Sequence, residues 1–172
     1  MTALAVVICL ALAGVALAAF SKVTGGSTQI TASPAAAKVL ADNHITVTPV
    51  APATASGTTF TFPIAGGRLN PQTLHGVIRH RGGLSLSNGT RTVTLRRPTI
   101  VSTKRGAWMY AMVRFHSERI ARLTNVSVAA TSATATMKLT AASARLINAL
   151  AGKHVTAAGA PFATGTITPT LK

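Results

Sequence analysis

Asn88-Gly89 sits between two runs of alternating apolar and polar residues, and this arrangement constrains the fold more than any other feature of the chain. Both residues tolerate positive φ, which a two-residue type I′ turn demands, so the pair predicts an antiparallel hairpin. With Asn88 and Gly89 as the turn, Leu84 faces Val93 and Leu86 faces Arg91. Leu84, Leu86, Val93 and Leu95 then share one face. Turn chemistry and apolar period agree, as a half-buried sheet requires.

The period of two recurs along the chain. Thr58–Phe62 alternates, with Phe60 and Phe62 on one face, and Gly66-Gly67 marks a turn. Leu74–Arg81 sets Val77 and Arg79 opposite Ile78 and His80, and Gly82-Gly83 punctuates the run. His75 and His80 on this run point to opposite faces. Ala107–Phe115 is a long strand with Met109, Ala111, Val113 and Phe115 on one side. Trp108, Tyr110, Met112 and Arg114 take the other, so the start of this strand is expected to be covered on both faces. Ile45, Val47 and Pro49–Pro52 read as a strand entering a turn. Val126–Ala130 with Ala133–Leu139, then Val155 and Thr164–Thr168, supply further strands.

Two helices interrupt the pattern. Ser33 caps the first, Pro34 fits its first turn, and Ala35–Ala41 carry it. Thr140 caps the second over Ala141–Ala151, with Leu146, Ile147 and Leu150 as its apolar stripe and Gly152 as its stop. Each unit reads strand, cap, helix, histidine, strand, with His44 and His154 in equivalent places, so two similar units flank a β meander. The fold class is therefore mainly β (α+β): an antiparallel β meander or sandwich-like domain with two short helices, preceded by an N-terminal apolar helix. Its 48% hydrophobic content includes only 4% aromatic residues, so its core rests on many small side chains.

Ala3–Phe20 carries no charge and no proline. Residues 1–20 are read as a signal peptide or membrane anchor, with Ala16-Leu17-Ala18 as a cleavage pattern. Residues 21–29, rich in Gly, Ser and Thr, read as a linker. Residues 30–172 read as a single β-rich domain. The one cysteine, Cys9, lies in the leader, so the remaining domain has neither disulfide nor thiol chemistry. The localisation implied is secreted, or anchored at the cell envelope outside the cytoplasm.

There are 17 Lys and Arg residues against two acids, Asp42 and Glu118. Such a field attracts anionic polymers, lipid headgroups or small anions. Arg96, Arg97, Lys104, Arg105 and Arg114 are the candidate anionic-partner face. Export, and the lack of a groove-reading helix or base-stacking signature, argue against specific nucleic-acid recognition. The five histidines show no metal-ligand spacing, so no metal site is assigned. No nucleophile elbow or phosphate loop is present, and the chain is not read as an enzyme.

Phe62-Pro63-Ile64-Ala65-Gly66-Gly67, then Leu69, Pro71 and Thr73, and Gly76-Val77-Ile78-Arg79-His80-Arg81-Gly82-Gly83-Leu84 carry a family likeness, continued by Leu86, Pro98 and Ile100. This stretch resembles the haem-transport-associated (HtaA-type) domain of actinobacterial surface proteins. The resemblance implies a haem-binding envelope domain in which a tyrosine ligates the iron and a histidine supports it. His80 falls on that histidine. The family's tyrosine lies in an aromatic segment near a Trp-Gly pair, a segment this chain lacks, and the sole tyrosine here is Tyr110. His80, Tyr110, Arg79 and Arg81 are thus the candidate ligand-binding residues, with haem the candidate cofactor and arginines facing its carboxylates. The alternative is a structural or adhesive envelope protein whose basic face binds anionic wall polymer or lipid.

Overall fold

The computed structural model describes residues 20–172. The leader, Phe20 apart, lies outside the described residues. In chain order the elements are β1 (Ser21–Ala32), α1 (Pro34–Asp42), β2 (Thr46–Val50), β3 (Thr54–Ser56), β4 (Thr59–Leu69), β5 (Gly76–His80), β6 (Gly83–Ser87), β7 (Thr92–Thr103), β8 (Gly106–Val113), β9 (His116–Val128), β10 (Ala133–Leu139), α2 (Ala141–Ala151) and β11 (Pro161–Leu171).

Eight of these strands close a ring in the order β7, β5, β4, β1, β11, β10, β9, β8 and back to β7. Neighbours are antiparallel throughout. The expected meander or sandwich is thus a barrel. Closure leaves the ring strands no free edge, and an interior of this strand number is filled by side chains. Val23, Phe62, Ile78, Met109, Ala121 and Met137 point inward and pack together. β2 and β6 extend the first half of β7, and β3 lies on the start of β4. Every ring strand and the whole buried cluster lie within residues 21–171, so a domain starting at Ala19 keeps every described element and folds as a unit.

Residues 21–29 are not a linker; they form most of β1. Their Gly/Ser/Thr content conceals an inward series of Val23, Thr28 and Ile30, all buried. The alternation is broken by an irregularity in the pairing with β11 between Val23 and Gly25, and the next residue, Gly26, takes φ +106°. A Cβ there would strike the Thr168 carbonyl, so only glycine fits.

Both helices form as read. Ser33 Oγ accepts from the Ala36 N–H at 3.1 Å. Thr140 and Ser143 make a reciprocal capping box, and Gly152 ends α2 in the left-handed region. Leu40 of α1 and Leu146, Ile147 and Leu150 of α2 close one end of the barrel over an apolar cavity of about 130 Å³. The opposite end opens into an apolar cavity of about 310 Å³ lined by Leu69, Leu74, Ile78, Leu123 and Ile167 among others. The second copy of the helix–strand unit stops short: Val155 lies in irregular chain, where the Asn148 side chain accepts from the N–H groups of Val155 and Thr156.

The hairpin register differs from expectation by two residues. Leu84 pairs with Leu95, and Leu86 with Val93. Asn88 does not share the turn with Gly89 as a second positive-φ residue; its Oδ1 accepts from the N–H groups of Thr90 and Arg91. This side-chain turn lengthens the loop to residues 88–91. A shift of two preserves facing, so the four apolar residues still share one side. Two further readings change. His75 precedes β5 in a turn held by Asn70, and so shares no strand with His80. Phe115 leaves the strand: Arg114 turns the chain at φ +55°, and Phe115 is 91% exposed.

Candidate functional site

Cross-strand register fixes where each candidate side chain points. Ile78, Ile100 and Met109 are Cα partners in sequence across β5, β7 and β8, and all three are buried. His80 shares their parity on β5 and pairs with buried Ile64, so it faces the interior. Arg79, Thr99 and Tyr110 form the alternate row, continued by Arg119 on β9, and this row faces outward. The barrel wall therefore separates His80 from Tyr110.

His80 is 3% exposed and both ring nitrogens are engaged. Nδ1 lies 2.8 Å from the Pro98 carbonyl oxygen, which can only accept, so Nδ1 carries the proton. Nε2 lies 2.7 Å from Thr28 Oγ1. Burial pushes the imidazole below its ordinary value of 6.5, a shift that the Pro98 carbonyl partly opposes. The ring is thus neutral at pH 7, and the Thr28 hydroxyl donates to Nε2. Thr28 is itself 1% exposed. This network ties β1, β5 and β7 together across the interior.

Tyr110 lies in guanidinium company. Arg119 Nε donates to the phenol oxygen at 3.2 Å. The same guanidinium sits 5.0 Å from the Trp108 ring centre and 5.5 Å from that of Tyr110. Two outer concavities meet at Tyr110. One, of about 620 Å³, is lined by Arg79, Arg81, Arg97, Thr99 and Met112, with His80 at its floor. The other, of about 700 Å³, is lined by Trp108, Arg119, Arg122, Lys138 and Thr140 at the start of α2. Arg79, Arg81 and Tyr110 are thus gathered on one wall, and His80 lies beneath it.

The expected anionic face is divided. Arg96 and Arg97 lie at the β6–β7 side near Arg114, which follows β8. Lys104 and Arg105 occupy the β7–β8 turn at the other end of the same hairpin, roughly 20 Å away along the strands. The wall between them is basic through Arg79, Arg119 and Arg122, residues whose grouping depends on register and was not evident in the sequence. Thr28 was missed for a different reason, because its segment reads as a linker. Among the described residues one ion pair is present, Lys38 with Asp42 at 3.0 Å on α1, and no group of three or more His, Cys, Asp or Glu converges.

The geometry matches solved structures. The C-terminal domain of HtaA from Corynebacterium glutamicum superposes with a TM-score of 0.63 over 90% of this chain and 100% of that one, at 15% identity. This chain has that domain's fold. The haem-binding protein HtaB from the same organism superposes at 0.53, covering 90% of this chain and 96% of its own, at 12% identity. No family model and no curated protein sequence matches the chain.

Proposed function

We propose that the chain is a cell-envelope binding module, secreted or membrane-anchored through its N-terminal segment, whose outer wall takes a flat anionic ligand. Haem is the first candidate, by the structural likeness to a haem-binding protein. The observation that carries this reading is the Tyr110 phenol bonded to Arg119 and bordered by Arg79, Arg81 and Arg97. A phenolate is an established axial ligand to ferric haem, and the Arg119 guanidinium lies against this phenol. Arginine also suits propionate carboxylates, which it binds through two parallel bonds.

His80 does not fit the role of iron ligand. Both nitrogens are committed and the ring is sealed. The family resemblance gives this histidine a tyrosine hydroxyl to support; here the hydroxyl it meets is that of Thr28, an alcohol rather than a phenol. The helix-end cavity, at about 130 Å³, is also smaller than the roughly 300–1,000 Å³ of ordinary ligand pockets. The open-end cavity, at about 310 Å³, has no tyrosine, histidine or arginine in its lining, whereas the outer wall offers a phenol and arginines together. Tyr110 would hold the iron, the arginines would hold the carboxylates, and His80 would stiffen the wall from inside.

A second reading rests on charge. With 17 cations and one ion pair among the described residues, most of the positive charge is open to an anionic wall polymer or lipid. Catalysis gains no support: Asp42 is paired on α1 and Glu118 stands apart on β9. A haem titration of residues 19–172 in low and high salt separates the two binding readings. A saturable absorbance shift that survives salt and is lost in Tyr110→Phe supports haem ligation. A shift erased by salt supports polymer binding, and no shift overturns haem.

A further inference from the structure

The open end of the barrel combines three features with no part in the outer-wall site. Its cavity of about 310 Å³ is lined by apolar and small polar residues, with no charged side chain among them. Its rim exposes Val126, Val128 and Leu171, at 48%, 58% and 38%, with Phe20 at 55% where β1 begins. Solitary exposed apolar residues are ordinary, but several around one opening mark a contact surface.

Charge around this rim has one sign. Lys22 pairs with Arg68 across β1 and β4, and the Lys22 and Lys172 backbones bond to each other. Lys104 and Arg105 form the β7–β8 turn, next to Ser102 and Ala107 of the cavity wall. All five side chains are exposed. Both acids lie elsewhere: Asp42 on α1 at the helix end, and Glu118 on the half of β9 that pairs with Ala111, near the β8–β9 turn.

Chain path supplies the third observation. Ser21 pairs with Leu69 at this rim, so the described chain begins here, directly after the uncharged run Ala3–Phe20 of the sequence. On the proposed reading of residues 1–20 as a membrane anchor, the tether leaves the domain at this end. An apolar tip ringed by cations, with no acid beside it, is the chemistry of a surface that seats at the interface of an acidic bilayer.

We propose that the open end of the barrel is a membrane-docking surface: Val126, Val128 and Leu171 enter the headgroup region of an anionic bilayer, and Lys22, Arg68, Lys104, Arg105 and Lys172 contact the lipid phosphates. This docking presents the Trp108–Tyr110 wall sideways and the helix end away from the membrane.

The domain of residues 19–172 has no cysteine, which allows a site-specific test. Val128→Cys and Phe115→Cys are labelled with an environment-sensitive fluorophore and mixed with vesicles of phosphatidylglycerol and phosphatidylcholine in equal parts. The Val128 label blue-shifts and the Phe115 label, at the far turn, does not. Lys104→Gln and Arg105→Gln each weaken vesicle affinity by roughly fivefold, the effect of one basic residue near an anionic membrane surface. Arg79→Gln, on the outer wall, changes it by less than twofold. A shift at Phe115 in place of Val128, a dominant loss in Arg79→Gln, or no vesicle binding overturns the proposal. Each readout is independent of haem.

Discussion

Replacing His80 by alanine tests the interior network directly. The substitution removes a ring that is 3% exposed and the partner of two polar atoms, the Thr28 hydroxyl and the Pro98 carbonyl. A buried polar atom left without a partner costs about 1–3 kcal/mol, and the lost packing adds to it. A total of about 3–5 kcal/mol is expected, a large part of the 5–15 kcal/mol typical of a domain. The pH dependence gives a second, independent readout. Burial holds the folded-state imidazole below 6.5, so below that pH the unfolded chain binds a proton that the folded chain refuses. Stability from this group is intact above about pH 6.5 and falls as pH drops toward the folded-state value, by at most about 1.4 kcal/mol per pH unit. Urea unfolding of residues 19–172, followed by circular dichroism at pH 8 and at steps down to pH 5, measures both. His80→Ala should lower the midpoint at pH 8 and flatten the slope below pH 6.5. Thr28→Val makes the smaller perturbation, about 1–2 kcal/mol, if alanine leaves too little folded protein. A cost under about 1 kcal/mol, or an unchanged slope, would refute the sealed, neutral histidine.

Other predictions concern local structure. Asn88→Ala removes the acceptor for Thr90 and Arg91 and a 2.7 Å bond from Nδ2 to the Leu150 carbonyl, and should cost about 1–2 kcal/mol in a urea melt. Thr140→Ala breaks the capping box of α2 and the bond to the Arg119 carbonyl, lowering stability by about 1–2 kcal/mol. Phe115→Ser should change stability by less than about 0.5 kcal/mol, because the ring is 91% exposed. Arg119→Gln should weaken haem binding severalfold in a titration followed by absorbance, and an unchanged affinity would refute a part for this guanidinium in the outer-wall site.

The helices were legible in the sequence because caps act locally: Ser33, Pro34, Thr140 and Gly152 each fix an end through bonds to the next few residues. Strand positions were legible wherever alternation was unbroken, as in Thr59–Phe62 and Ala107–Val113. β1 was not, since glycines at residues 25 and 26 interrupt its period and its inward Thr28 looks like linker composition. Asn88 signalled a turn correctly but not its length, because the same side chain suits positive φ and also accepts backbone bonds. The ring also depends on β1 pairing with β11, which sets Ile30 beside Gly165 from the far end of the chain, and no local pattern announces that pairing.

Closure also decides what the candidate site can be. The alternation along β5 groups His80 with Ile78, and that along β8 groups Tyr110 with Trp108. Neither pattern says how the two groups relate. The pairing of Ile78 with Ile100, and of Ile100 with Met109, places His80 on Met109's side of the wall and Tyr110 on the other. A ligand on the proposed outer-wall site would therefore meet Tyr110 and its arginines without touching the imidazole. Inward positions ask for apolar volume and a few satisfied bonds, demands that many sequences meet, so the fold persists at 15% identity. Outward positions are free of that demand, and the proposed site draws on them. Tyr110→Phe should therefore alter binding while leaving the urea midpoint within about 0.5 kcal/mol, whereas Thr28→Val should lower the midpoint and leave binding to the folded domain unchanged. The opposite pattern would place the ligand inside the barrel.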